Sequence, residues 1–156
     1  MKLEIKTNFS FSKLYNNLDR ILDRQSTHLS KGSAKDAKEN IDKGLRPSLK
    51  KSTKEIRKFR NIGGDKPLYA TGSLYKSIKG AKDGIKVMKY GLYHHNGFTP
   101  KKIPFVKKNS SGNTLGFVNN KKGINVPARP FLFPSQKTIL ESIKKFKKDL
   151  NRAMRK

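Results

Sequence analysis

The residues of this chain best suited to proton transfer or metal binding near neutral pH are its histidines. There are three of them: His28, His94 and His95. The adjacent pair lies in Tyr93-His94-His95-Asn96, an arrangement that invites comparison with a metal site or an HNH-type nuclease. We expect this pair in a strand-rich region, and neighbouring residues on a strand point to opposite faces, so they rarely share one ion.

A metal-dependent nuclease also needs further ligands at suitable spacing. After Asp83 the next carboxylate in the chain is Glu141, so the strand-rich centre offers no carboxylate ligand or general base. We therefore predict no metal site. We interpret the histidine pair as part of an aromatic-rich packing segment near a subunit contact.

Other signatures of catalysis do not occur in the sequence. No serine lies in a Gly-x-Ser-x-Gly elbow, and no glycine-rich loop is followed by Lys-Ser or Lys-Thr. The chain has no cysteine, and its 11 acidic residues leave little for acid–base catalysis. The sequence predicts a protein that is not an enzyme and that carries no cofactor.

The net charge of +26 is the strongest signal of the composition. It predicts attraction to polyanions such as nucleic acid. The alternative is a coding bias that places lysine wherever a solvated polar residue is tolerated. Lysines number 29 and arginines 8, and the lysines are spread over the whole chain. Because base reading favours the planar fork of arginine, we expect no reading of nucleotide sequence.

One region, 99–123, concentrates lysine without any acid and reads as a protruding basic hairpin. Residues 103–107 and 114–119 have strand patterns, and the turn residues 109–113 lie between them. We assign contact with a DNA channel or an acidic partner to six lysines: Lys101, Lys102, Lys107, Lys108, Lys121 and Lys122. Stacking of single-stranded bases on nearby aromatic rings is a further alternative, carried by Phe98, Phe105 and Phe117.

The remaining elements follow from hydrophobic periodicity. A short edge strand is predicted at 2–6, a helix at 11–27, and a thinly apolar helical stretch at 33–60 that Gly44 and Pro47 interrupt. Residues 27–32 are either a turn or a polar turn of a longer helix. We treat 11–60 as the helical N-terminal part.

Three further elements complete the order. Residues 71–79 predict a short helix that Thr71 can cap, and residues 84–90 predict a strand. An amphipathic helix is predicted over 135–154, with Ser135 as its cap. Strands and helices do not alternate regularly along the chain, so the order of the predicted elements indicates an α+β fold.

Length and hydropathy set the scale of the core. The 156 residues suit one domain over 1–156, and a hydrophobic content of 33% with a mean hydropathy of -0.79 predicts a lean core. No apolar run reaches the roughly 18 residues needed to span a bilayer, and the N-terminus lacks the apolar core of a signal peptide. The sequence predicts a soluble protein made in a cytoplasm, without membrane contact.

Three blocks of unusual sequence occur in a fixed order. They are Thr71 to Ile78, Tyr90 to Gly97 and Val126 to Ser135, and the last helix follows directly. The two prolines Pro127 and Pro130 force an extended path. The third block is therefore either a rigid connector on the core or a connector that also forms an inter-subunit contact, with Arg129 as its polar anchor.

These blocks resemble those of the bacteriophage virion-morphogenesis or tail-completion proteins, which act in the neck and join head to tail. The family's pattern has a leading helix, a Thr-Gly-x-Leu-x-x-Ser-Ile block, a Tyr-x-x-x-His-x-x-Gly-like block and a Pro-Ala-Arg-Pro-Phe-Leu block. This chain departs from it at Leu92-Tyr93-His94, where the family commonly has a small residue and an aromatic. We assign subunit or partner contacts to seven residues of the blocks: Thr71, Gly72, Leu74, Tyr93, His94, Arg129 and Phe131.

The resemblance implies a structural virion protein with a tail-terminator-like fold, in which a small twisted antiparallel sheet is flanked by N-terminal and C-terminal amphipathic helices. Such proteins assemble into a homo-oligomeric ring at the head–tail junction of the virion, after synthesis in the host cytoplasm. The implied partners are the head connector or adaptor and the tail tube or tail terminator proteins, with packaged DNA passing through the ring. The rival classes are a free basic nucleic-acid-binding protein without sequence specificity and a small nuclease toxin.

Overall fold

The structure is a computed structural model and describes residues 11–110 and 112–154, apart from the side chains at positions 11, 13, 14 and 109. The strand predicted at 2–6 lies outside these residues. The described elements are α1 (Phe11–Lys43), α2 (Lys51–Phe59), α3 (Ser73–Ser77), β1 (Lys79–Ala81), β2 (Gly84–Lys86), α4 (Lys89–Asn96), β3 (Lys102–Asn109), β4 (Gly112–Asn119) and α5 (Gln136–Met154). The predicted α+β class is confirmed. Among the helices described, none has the length and apolar character needed to cross a membrane.

Helix α1 runs without a break through 27–32, so these residues form a polar turn of one long helix. The Ser30 hydroxyl donates to the Thr27 carbonyl at 3.1 Å, and the Ser33 hydroxyl donates to the Leu29 carbonyl at 2.8 Å. The helix ends before Gly44, which has a φ of +86° that glycine adopts without strain. The predicted interruption at Gly44 and Pro47 is therefore confirmed, and α2 follows it.

The core is small and lies between the C-terminal half of α1, α3 and the segment before α5. Its buried apolar residues are Ala34, Ala37, Ile41, Leu74, Ile78 and Phe131. The two alanines on α1 are small, so a neighbouring segment of the same chain can approach this helix closely. Strand β1 approaches α1 in this way at Gly80. A Cβ atom at Gly80 would lie 2.5 Å from the backbone Cα of Lys31. The tight contact between α1 and β1 therefore requires glycine at this position.

The antiparallel strands form two separate two-stranded sheets, β1 with β2 and β3 with β4. The predicted strand 84–90 is wrong in its second half, because β2 ends at Lys86 and α4 begins at Lys89. The reason is tertiary: Gly91 is buried on α4, and a Cβ there would lie 2.7 Å from Cδ1 of Leu74. The histidine pair thus lies on a helix, and the argument from opposite strand faces does not apply.

The hairpin and the last helix match the sequence pattern closely. Strands β3 and β4 pair from Lys102 opposite Asn119 to Asn109 opposite Gly112. Helix α5 is capped by Ser135 as predicted, since the Thr138 amide donates to the Ser135 hydroxyl oxygen at 3.2 Å.

Helices α1 and α5 pack along each other and are joined by polar contacts. The Gln25 amide donates to the Asp149 carboxylate at 3.0 Å, and His28 Nδ1 lies 3.2 Å from the Ser142 hydroxyl. The amide of Ser135 donates to the Asp36 carboxylate at 2.7 Å. Burial alone would raise the pKa of Asp36, but this bond and those of nearby hydroxyls outweigh it and lower the pKa.

Candidate partner-binding site

A partly open cavity of about 440 Å³ lies where the three sequence blocks meet. Its walls come from α2, the segment leading into α3, helix α4, the base of the β3–β4 hairpin and the extended residues 124–129. Five of the seven predicted contact residues line it: Thr71, Gly72, Leu74, His94 and Arg129. Residues far apart in sequence therefore converge on one site. Such closeness is necessary if they are to contact the same partner.

The other two predicted contact residues lie elsewhere. Tyr93 is 61% exposed on the outer side of α4. Phe131 is fully buried in the core, where its ring meets the ring of His95 edge-on at 5.7 Å between centroids. We correct the assignment of Phe131, because a side chain buried in this way stabilises the fold and presents no surface to a neighbouring subunit.

Arg129 is the only charged residue of the third block, and it is 6% exposed. Its Nε donates to the Pro47 carbonyl at 3.0 Å, and Nη2 reaches the Ser48 carbonyl at 3.5 Å. Its amide donates to the His94 carbonyl at 2.9 Å. The side chain therefore ties the third block to the α1–α2 connection within one chain, a role that sequence reasoning did not predict.

The charge of Arg129 has no counter-ion in the described part of the chain, where no carboxylate lies within 4 Å of its guanidinium. Burial lowers the pKa of this guanidinium from its ordinary value, and the positive charge of Arg57 lowers it further. Arginine nevertheless remains protonated in proteins, so the cavity wall carries a buried cation.

His94 contributes an aromatic and uncharged surface next to this cation. Its ring packs edge-on against Tyr90 and Phe98, with centroids 6.4 Å and 5.4 Å away. Burial lowers its pKa, and the charge of Arg129 acts in the same direction, so the imidazole is neutral at pH 7. Within the described residues its buried Nδ1 has no hydrogen-bond partner.

His95 has a different role, so the two adjacent histidines do not form one site. Its Nδ1 accepts hydrogen bonds from the amides of Phe131 and Leu132 at 3.1 and 3.2 Å. It therefore holds the third block in its extended path. The described part of the chain contains no group of three histidine, cysteine or acidic side chains spaced to hold a metal ion.

Helix α2 forms one wall of the cavity with Leu49, which precedes it, and with Ile56. No residue of α2 is buried. The helix packs against β3 and β4. Its Arg57 fixes the loop that follows it, since Nη1 donates to the carbonyls of Gly64 at 2.7 Å and Lys66 at 3.1 Å. The thinly apolar pattern predicted over 33–60 was the sequence signal for this wall. That pattern could not predict that α2 lies over the other sequence blocks.

The six lysines of the hairpin region are all exposed. Across the described residues, none of them lies within 4 Å of a carboxylate. Two hairpin aromatics are also accessible, Phe105 at 40% and Phe117 at 59%. Phe98 differs from them, because it packs against His94 and Tyr93.

Large apolar side chains also remain exposed on the paired helices α1 and α5. On α1, Tyr15 is 72% and Leu22 is 56% exposed. On α5, Leu140 is 51% and Ile143 is 45% exposed. The pairing of the two helices therefore leaves these large apolar side chains uncovered.

Comparison with known proteins gives no relative from which a function could be transferred: no family model, no curated protein and no solved structure matches this chain.

Proposed function

We propose that this protein is a structural subunit of the bacteriophage neck or tail top. Copies of it form a ring that completes the tail or joins the head connector to the tail tube around the DNA channel. Its partners are then further copies of itself, the head connector or adaptor and the tail tube or terminator proteins, and its location is the head–tail junction of the virion. The order of the three sequence blocks and the α+β fold support this assignment.

The observation that carries the proposal is the imbalance between buried and exposed apolar side chains. Among the described residues only seven apolar side chains are buried, whereas eighteen large ones are exposed. Single exposed apolar residues are common, but a surplus of this size on a chain of +26 predicts interfaces that copies or partners cover. Binding to the folded state then adds the stability that the small core does not supply.

A ring follows when the contact between copies is head-to-tail and its rotation closes. Helices α1 and α5 offer one apolar surface, and the hairpin and α4 offer another on a different part of the chain, with Phe117 and Tyr93 exposed. Two dissimilar surfaces are what a head-to-tail contact needs. Analytical ultracentrifugation with negative-stain imaging tests the proposal, and a closed ring of one size is the expected result.

The lysine clusters would face the DNA channel or an acidic neighbour. We expect that replacing Lys101, Lys102, Lys107 and Lys108 with glutamine impairs head–tail joining or DNA retention without unfolding the protein. A matched variant of α5, with Lys144, Lys145, Lys147 and Lys148 replaced, removes the same charge from another exposed surface. Normal infectious yield from both variants would refute a role for these clusters, and a defect in one alone would identify the surface used.

The second candidate is a free basic nucleic-acid-binding protein without sequence specificity. The six exposed hairpin lysines without a described counter-ion favour it. Each phosphate contact contributes a slope of about -0.9 to the dependence of log affinity on log salt concentration, so a gel-shift titration measures the number of contacts. A monomer with submicromolar affinity for duplex DNA and a steep salt slope would favour this candidate over the ring.

A further inference from the structure

We propose that the cavity beside Arg129 binds an extended segment of a protein partner in which a carboxylate stands next to large apolar side chains. The inference rests on the proposed function for one point only, that the partner is a neighbouring protein of the assembled particle. The chemistry of the segment follows from the cavity itself.

The carboxylate is required by the buried charge. A guanidinium has five N–H donors, and Arg129 uses two of its nitrogens on the carbonyls of Pro47 and Ser48. These are its side-chain hydrogen bonds among the described residues, and neither of them comes from Nη1. A buried cation that has only neutral acceptors has not recovered the cost of leaving water, and a carboxylate is its best-matched partner.

The charges around the cavity select for an anion. Besides Arg129, its lining residues include Lys50 and Arg57 and no acidic residue. His94 is neutral, because its pKa is lowered, and it adds no compensating charge. The site therefore repels basic segments of other copies of this chain and is complementary to an acidic partner.

The apolar part of the segment is required by the other walls. Leu49, Ile56, Ile103 and Ile124 contribute to a cavity of about 440 Å³, which is far larger than one carboxylate group needs. An apolar side chain that fills this space gains the free energy of leaving water, which a phosphate or a second carboxylate does not. The site therefore differs from the exposed hairpin lysines, which suit any polyanion.

Peptide binding to the purified protein tests the inference by fluorescence anisotropy. The probe is a fluorescein-labelled decapeptide of alternating glutamate and leucine. One comparison peptide replaces glutamate with glutamine, and the other replaces leucine with serine at the same charge. We expect the first peptide to bind at least about ten-fold more tightly than either comparison, because it alone meets both requirements.

Variants locate the binding. Arg129→Gln should weaken binding of the glutamate–leucine peptide by about thirty-fold, whereas the matched variant Arg24→Gln, at an exposed position of α1, should leave it nearly unchanged. Thr53→Trp places a large ring in the cavity from α2 without touching the hydrogen bonds of Arg129, and it should also abolish binding. If circular dichroism shows that Arg129→Gln does not fold, the Thr53→Trp variant alone tests whether the peptide binds in the cavity.

Three results would overturn the inference: equal binding of the glutamate–serine peptide, full affinity in both cavity variants, or displacement of the probe by excess duplex DNA. The first and third would show attraction by net charge alone. Imaging the same samples separates this inference from the proposed function. Rings without selective peptide binding would refute only the inference, and selective binding without rings would refute only the ring.

Discussion

Phe131 and Phe133 lie two residues apart in the third block and give a matched test of where the core is. Phe131 is fully buried against the small cluster that includes Ile41 and Ile78, whereas Phe133 is 47% exposed. Replacing a buried phenylalanine with alanine costs about 3–5 kcal/mol, because it removes the transfer free energy of the ring and leaves a cavity. The exposed ring should cost less than about 1 kcal/mol.

The core cluster has six residues, two of them alanines, so Phe131 is its largest member. A loss of about 4 kcal/mol is a large share of the 5–15 kcal/mol that typical domains possess. With a urea dependence of about 2 kcal/mol per molar, the unfolding midpoint of Phe131→Ala should fall by about 2 M. Phe133→Ala should shift it by less than about 0.5 M.

The assay is urea unfolding followed by far-ultraviolet circular dichroism, at a dilution where the measured mass is that of one copy. Dilution matters, because a second copy that covered Phe133 would raise the apparent cost of removing its ring. Equal shifts for the two variants, or a larger shift for Phe133→Ala, would refute the core described here and with it the position of Arg129 at the cavity wall.

Two further predictions concern contacts of α1. Because the pKa of Asp36 is lowered, its contribution to stability is present above the ordinary value of 3.8 and is lost as the pH falls through the lower folded-state value. Asp36→Asn should therefore lower the free energy of unfolding by about 1–3 kcal/mol at pH 7. Below about pH 4 the variant should lose less stability than the unmodified protein, as measured by unfolding at each pH. The same loss of stability with acid in both proteins would contradict this. Gly80→Ala should cost about 1–3 kcal/mol, since its Cβ meets the backbone of Lys31, whereas Gly63→Ala, with open space around it, should be close to neutral in thermal unfolding. A neutral Gly80→Ala would show that α1 and β1 are not in tight contact.

The elements that the sequence predicts well are those whose signal is local. The β3–β4 hairpin has alternating strands around strong turn residues, and α5 combines regular apolar spacing with a serine cap. The break after α1 is equally local, because Gly44 adopts a positive φ.

The misses have a tertiary cause. Helix α4 forms where two residues of strand-like type, Ile85 and Val87, precede it, and its position depends on Gly91 fitting against Leu74. No local pattern shows that Gly91 will be buried by the side chain of Leu74, seventeen positions earlier. Propensity is a weak guide wherever packing of this kind decides the outcome.

The candidate site was predicted in part. Its residues were identified block by block, and five of the seven assigned contacts meet at one cavity. Two features needed the structure: the wall contributed by α2, and the burial of Arg129 against the carbonyls of Pro47 and Ser48. Neither can be read from periodicity, because each depends on segments about eighty residues apart in the chain.

We propose that copies of this chain cover each other's apolar surfaces in a closed ring. The most direct test is the mass of the purified protein over a range of concentrations, together with negative-stain images of the same samples. We expect a discrete mass of many copies and circular particles with a central opening. A single-copy mass at every concentration up to tens of micromolar, with no circular particles, would contradict it.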